Sequence, residues 1–240
     1  ACNEQVVLLV DGYDAAWLGR ASARDASGAD PAGLFDRVLF DAIATARDSL
    51  RLTCLMGECP GPAEAALSLH CCSYCLTTPL STWCDRWFGF SDAEVEALLN
   101  HAGREEYLDD AREWLEGYRF GRAYCSSPAR VIGFLGRGCT APVRADLYGY
   151  ADCLSRVVAG WNLDRLSVLF DLLEAYGCAE VPLCLGTAEP DVSPDDGMWT
   201  ALYLSGFLTT DMTEEPEHGD RLRALRLPNN ELRQALRLVI

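Results

Sequence analysis

The chain has 240 residues, half of them hydrophobic and 23% charged, with 20 basic against 36 acidic residues and a net charge of −16. That length and apolar content can build a sizeable core and exclude a disordered chain. No apolar run approaches a membrane span, and the acidic balance excludes a general binder of nucleic acid or anionic membrane. All 20 basic residues are Arg, so neither a GxxxxGK[ST] phosphate loop nor a catalytic Lys exists here. No secretory signal pattern opens the chain, which points to a cytoplasmic protein, and Ala1 in place of Met suggests a processed or trimmed start.

In chain order, the first predicted element is Val6 to Val10, VVLLV, a short apolar run that reads as a strand buried on both faces of a parallel α/β sheet. It ends in Asp11, Gly12 and, two residues on, Asp14. Ligand chemistry in such sheets gathers at the carboxyl ends of strands, and an Asp there helps hold Mg²⁺ in P-loop nucleotidases. The plain alternative is a core strand whose Asp caps the next turn. A Gly/Ala/Ser-rich loop at 19–33 follows, and Asp30-Pro31 then offers an N-cap with Pro in the first turn. Leu34, Phe35, Val38, Leu39, Ala42 and Ile43 recur at helical spacing and predict a helix over 32–49. Arg51 to Met56 reads as a second strand, and strand–helix–strand makes a right-handed parallel unit the default.

Ser91 and Glu94 form a capping box ahead of Val95, Leu98, Leu99 and Ala102, and Gly103 stops that helix. The next helix shows an apolar face of Tyr107, Leu108, Ala111, Trp114, Leu115 and Tyr118. Shorter helices are expected over 128–136, 150–160 and 163–177, with an acidic loop at Pro190 to Gly197. Met198 to Leu208 reads as a helix with a Gly206 stop, and Arg221 to Leu227 as a strand. Asn229-Asn230 cap a last helix, 231–239.

Two residue clusters carry candidate chemistry. Twelve Cys are present, densest among Cys54, Cys59, Cys71, Cys72, Cys75 and Cys84 around His70. Structural zinc uses four N or S ligands, commonly as two CxxC-like pairs, and only Cys72-x-x-Cys75 is present. The expectation is therefore no metal and thiols acting as small hydrophobes, with His70, Cys72 and Cys75 the residues to watch for zinc. The second cluster is Arg221, Arg223, Arg226, Arg233 and Arg237, which could meet phosphates or serve as a solvated face offsetting the acids of 189–220.

Six blocks then occur in order: VVLLVDGYD, LTCLMG, FGFSDAEVEALL, WLEGYRFGRAYC, DDGMWTALYLSGFLTT and LRLPNNELRQAL. Together they resemble the AAA-ATPase-like family of bacterial proteins, often joined to a restriction-endonuclease-like nuclease domain. The family's blocks are a hydrophobic run ending Asp-Glu-Tyr-Asp, a strand ending Thr-Gly-Val, Gly-Phe-Thr-x-x-Glu-Val, Trp-Tyr-x-Gly-Tyr-x-Phe, Trp-Ser-Leu-Leu-Tyr-x-x-Gly-Tyr-Leu and Ile-Pro-Asn-x-Glu-Val. The resemblance implies an incomplete P-loop-ATPase-like α/β core at 1–145, with strands at 6–10, 51–56 and 84–88 and no P-loop. It further implies a mostly helical lid and a winged-helix-like end at 146–240.

Departures from the family are specific. Gly12 stands where the water-polarising Glu would be, Ala15 where the family has Lys, and Met56-Gly57-Glu58 where Thr-Gly-Val is usual. Asp11, with Asp14 as companion, is the vestige of the metal-binding acid and the weak Mg²⁺ candidate. Three function classes follow. One is a degenerate ATPase-like domain acting as a protein-interaction or regulatory module, without catalysis by this chain alone. Another is the C-terminal portion of an ATP-binding switch protein whose P-loop lies upstream, which alone would bring ATP and Mg²⁺ as cofactors. The third is a winged-helix nucleic-acid-binding module. The expected partners are an upstream P-loop segment or a second copy in a homo-oligomer, with no nucleic acid and no membrane.

Overall fold

The computed structural model describes residues 4–13, 31–57, 73–143, 147, 149, 151, 154–155, 158, 161–174, 177–185, 194–211 and 222–240. The fold is mixed α/β and divides into two compact units, residues 1–76 with 184–192 and residues 77–183 with 193–240. The boundary expected near 145 from the sequence falls inside the second unit.

In the first unit, β1 (Val6–Asp11) and β2 (Leu50–Met56) form a two-stranded parallel sheet. Helix α1 (Pro31–Ala46) and a single 3₁₀ turn (Arg47–Ser49) connect them. The register runs from Val6 opposite Leu50 to Asp11 opposite Met56, with an irregularity between Val6 and Val7. Tyr13, Phe40 and Ile43 are buried, and Leu8, Val10, Leu39, Leu50 and Leu55 pack around them. Tyr13 meets the Phe40 ring edge-on at 6.4 Å. Gly12 makes this possible: at φ +65 it turns the chain, and the amides of Gly12 and Tyr13 both donate to the Met56 carbonyl.

The expectation that β1 is buried on both faces is corrected. Alternation turns Leu8 and Val10 toward α1, whereas Val7, Leu9, Leu52 and Met56 on the other face are exposed, Leu9 by 65%. An unbroken apolar run records two apolar faces but not whether anything covers the second.

In the second unit, α2 (Asp92–His101), α3 (Leu108–Leu115) and α4 (Pro128–Gly136) enclose Val95, Leu99, Ala111, Leu115, Val131, Phe134 and Cys139. The capping box at the start of α2 is complete: the Ser91 amide donates to Glu94 Oε2 at 2.8 Å and the Glu94 amide to Ser91 Oγ at 3.4 Å. Between these helices, β3 (Tyr118–Phe120) and β4 (Ala123–Cys125) make an antiparallel hairpin. The apolar spacing carries the predicted helix on to Tyr118; instead the helix ends at Leu115, Glu116 is extended, and Gly117, at φ +122, leads into the hairpin.

Helix α5 (Leu163–Leu173) is shorter than the expected 163–177: Glu174 leaves the helical conformation with an extended backbone, and β5 (Cys178–Pro182) follows just past the expected end. The expected helix over 150–160 lies largely outside the described residues. After α6 (Pro194–Leu204), β6 (Thr209–Thr210) and β7 (Leu222–Arg226) complete a three-stranded antiparallel sheet in the order β5-β7-β6. Helix α7 (Asn230–Arg237) closes the chain, with Asn229 Oδ1 accepting from the Leu232 amide at 3.1 Å.

The strand expected at 84–88 is also corrected. Asp85–Trp87 forms one 3₁₀ turn, entered through Cys84 in the left-handed region at φ +62. The backbone amide of Arg122 donates to Asp85 Oδ2 at 3.0 Å, which ties the turn to the β3–β4 hairpin. No helix among the described residues is long and apolar enough to cross a membrane.

Candidate functional site

Asp11 closes β1 opposite Met56, and its side chain is exposed. Gly12, in the position of the family's Glu, contributes only its amide, which is committed to Met56. Asp14 lies outside the described residues, as do His70 and Cys72, while Cys75 is exposed. Among the described residues no three His, Cys, Asp or Glu side chains gather closely enough to hold a metal. Cys125 and Cys139 are buried, whereas Cys178 is exposed. Burial pushes the Cys125 thiol up to about 11, and burial likewise raises that of Cys139.

Four of the six sequence blocks, from FGFSDAEVEALL onward, lie in the second unit, and the first two lie in the first. Gly117, between α3 and β3, lies against the backbone of Pro228, ahead of α7. Asn229 Nδ2 donates to the Leu115 carbonyl at 3.2 Å, joining the start of α7 to the end of α3. Arg226, the last residue of β7, grips Asp211 with two hydrogen bonds of 2.8 and 2.9 Å and also reaches the Gly117 carbonyl at 3.3 Å. Arg119 donates to the Asp211 carbonyl, and its guanidinium lies 5.1 Å from the centre of the Tyr124 ring. The Arg226 guanidinium holds the Asp211 carboxyl below the usual carboxylate range against a smaller opposing effect of burial, with help from the Tyr124 hydroxyl and Arg119.

Beside this junction is a groove of about 1010 Å³, with Trp114, Leu173, Pro228, Arg226, Arg233 and Arg237 among its lining residues. The arginine cluster read from the sequence therefore has several different fates. Arg223 is buried, Arg226 is neutralised by Asp211, and Arg221 lies outside the described residues. Arg233 and Arg237 share one face of α7 in the groove wall, as their spacing of four indicates. Arg233 Nη1 donates to the carbonyls of Leu173 at 2.9 Å and Glu174 at 2.7 Å, at the carboxyl end of α5. Nothing in the sequence marked this groove, because its walls come from segments more than 100 residues apart.

Exposed aromatic residues form a further surface feature. Trp83 precedes the 3₁₀ turn and Trp87 is its last residue, exposed by 84%, while Phe88 stacks on Phe120 with ring centres 5.0 Å apart. Comparison with protein-family models, with curated proteins and with solved structures finds no match, so the family resemblance rests on the six sequence blocks alone.

Proposed function

We propose that this chain is a non-catalytic protein-interaction module, related to AAA-type ATPases and lacking their hydrolytic groups. The observation that carries the reading is the outer face of the β1–β2 sheet, where Val7, Leu9, Leu52 and Met56 are exposed together. A two-stranded parallel sheet with one apolar face open is an unusual arrangement, because parallel sheets are ordinarily covered on both sides. Contiguous exposed apolar surface of this kind marks contact sites, and strand edges without a partner among the described residues can take a further strand. The sequence supports the same reading from the chemical side. Asp11 remains, but Gly12 and Ala15 replace the family's Glu and Lys, and the chain has no Lys anywhere. One exposed carboxylate is far short of the oxygen ligands and phosphate cradle that hold Mg²⁺-ATP.

Sedimentation velocity of the full chain, alone and as Leu9→Asp, tests the proposal. The expected result is concentration-dependent self-association that Leu9→Asp abolishes, with an unchanged circular dichroism spectrum because Leu9 is outside the core. A strict monomer would count against it. Micromolar affinity for Mg-ATP by calorimetry, lost in Asp11→Asn, would replace it with the ATP-binding switch.

A further inference from the structure

We propose that β1 pairs through its open edge with β1 of a second copy of this chain. The two strands run antiparallel about a two-fold axis, and the copies share one continuous sheet in the order β2-β1-β1-β2. The inference rests on the interaction-module reading and specifies its partner and the edge through which that partner binds.

Each strand of this sheet has one neighbour among the described residues, so one edge of β1 and one of β2 are open. The two edges differ in how well they are protected. Val6 lies opposite Leu50 and Val7 opposite Leu52, which leaves Arg51 as an extra residue on β2. An irregularity and a charge are the usual devices that keep an edge from pairing. On β1 neither is present: Val6 to Val10 contains no charge, Gly or Pro, and Val6, Val7 and Leu9 are exposed. The hydrogen-bonding groups of that edge follow from the ladder. The Gly12 amide donates to the Met56 carbonyl and so points toward β2, and alternation directs the amides of Val10 and Leu8 the same way. The amides and carbonyls of Val7, Leu9 and Asp11 therefore point to the open edge.

A second copy fits this edge because the strand is self-complementary. A two-fold axis perpendicular to the sheet keeps the α1-facing side chains of both copies on one side, so opposed residues must face the same way. Placing Leu8 opposite its own copy meets that condition and sets Val7 opposite Leu9 and Val6 opposite Val10. Val7 and Leu9, whose backbone groups point outward, then exchange both hydrogen bonds of an antiparallel pair. Charge selects the register. Asp11 falls opposite Gln5 and Glu4 opposite Gly12, so no acid meets an acid or an apolar side chain. Sliding by two residues sets Asp11 opposite Val7, or Glu4 opposite Val10, and sliding by one opposes the wrong faces. The helices fit as well. Phe40 and Ile43 of α1 pack with Leu8 and Val10 of β1 and with Leu50 and Leu55 of β2, so α1 covers both strands. Across the axis the two α1 helices then lie two strand spacings apart, about 10 Å, the ordinary distance between packed helices.

The test compares Val7→Glu with Leu52→Glu in the full chain by sedimentation velocity. Val7 and Leu52 are register partners on the same outer face, exposed by 49% and 57%, so the two variants add the same charge at matched positions. Only Val7 borders the open edge of β1. Wild type should dimerise with a Kd of about 1 to 20 μM, Val7→Glu should weaken this about tenfold or more, and Leu52→Glu by less than about threefold. Hydrogen exchange read residue by residue in the wild type gives a second measurement that needs no variant. Between about 1 and 200 μM protein, exchange of the Val7 and Leu9 amides should slow about threefold or more. Those of Leu8 and Val10, already bonded to β2, should be slow throughout. Equal loss in both variants would overturn edge pairing in favour of stacked sheet faces and leave the interaction module standing. Loss in Leu52→Glu alone would overturn it in favour of the β2 edge. Val7 and Leu9 amides that exchange at one rate over the whole range would overturn it even where Val7→Glu fails to fold. A monomer up to about 200 μM would overturn both this pairing and the self-association on which it rests.

Discussion

Gly117 lies so close to the backbone carbonyl of Pro228 that a Cβ at position 117 would overlap that oxygen. At φ +122 its backbone conformation also excludes ordinary side chains. Gly117→Ala should therefore cost about 3 kcal/mol or more, combining backbone strain with displacement of the segment that starts α7. Gly103, at φ +63, has open space around it, and Gly103→Ala should cost only about 1 to 2 kcal/mol. Urea unfolding of both variants checks the difference; equal costs would show that the Pro228 contact carries no weight.

Asn229 serves two helices, capping α7 with its oxygen and holding the Leu115 carbonyl of α3 with its nitrogen. Asn229→Ala should cost about 2 to 3 kcal/mol, since it removes a cap and leaves buried groups unpaired. Asn229→Asp keeps the capping oxygen and loses the donor, so it should fall between wild type and Ala in chemical denaturation. An Asp variant no better than Ala would show that the cap contributes little.

Asp211 gives a pH dependence of definite sign. Arg226 holds its folded carboxyl below the ordinary value, so its contribution is present above about pH 4 and is lost as pH falls through the lower folded value. Asp92, held down chiefly by its bonds to Arg112, acts in the same direction. The urea midpoint should be level near neutrality and drop below about pH 4. Asp211→Asn should cost about 1 kcal/mol at pH 7, a figure discounted for the half-exposed carboxylate, and should shallow the acid limb without abolishing it. An unchanged acid limb would remove Asp211 from this account.

Phe40 is 1% exposed and forms the centre of the first unit with Tyr13 and Ile43. Phe40→Ala should cost about 3 to 5 kcal/mol, through lost burial and the cavity left behind. Val38, two positions earlier on α1, is 60% exposed, and Val38→Ala should change stability by no more than about 0.5 kcal/mol. Thermal unfolding followed by circular dichroism distinguishes the two, and comparable losses would mean that α1 buries a different face.

The sequence by itself determined the elements whose causes are local. Helix α1 follows from apolar spacing behind Pro31, α2 from the Ser91–Glu94 box, and α7 from the Asn229 cap, because each is written within one or two turns of chain. The β1–β2 pair was equally legible as apolar runs of strand length on either side of a helix. Only the tertiary structure decided what those elements face. The β3–β4 hairpin has three residues per strand, too few for alternation to register, and its start depends on Gly117 meeting Pro228. Strand β5 exists because β7, more than 40 residues later, supplies its hydrogen bonds. The five C-terminal arginines look alike in sequence, yet those described become a buried residue, an ion-paired clamp, an anchored cation and an open one. Their separation depends on which carboxylates and carbonyls distant segments bring alongside, and no local pattern encodes that.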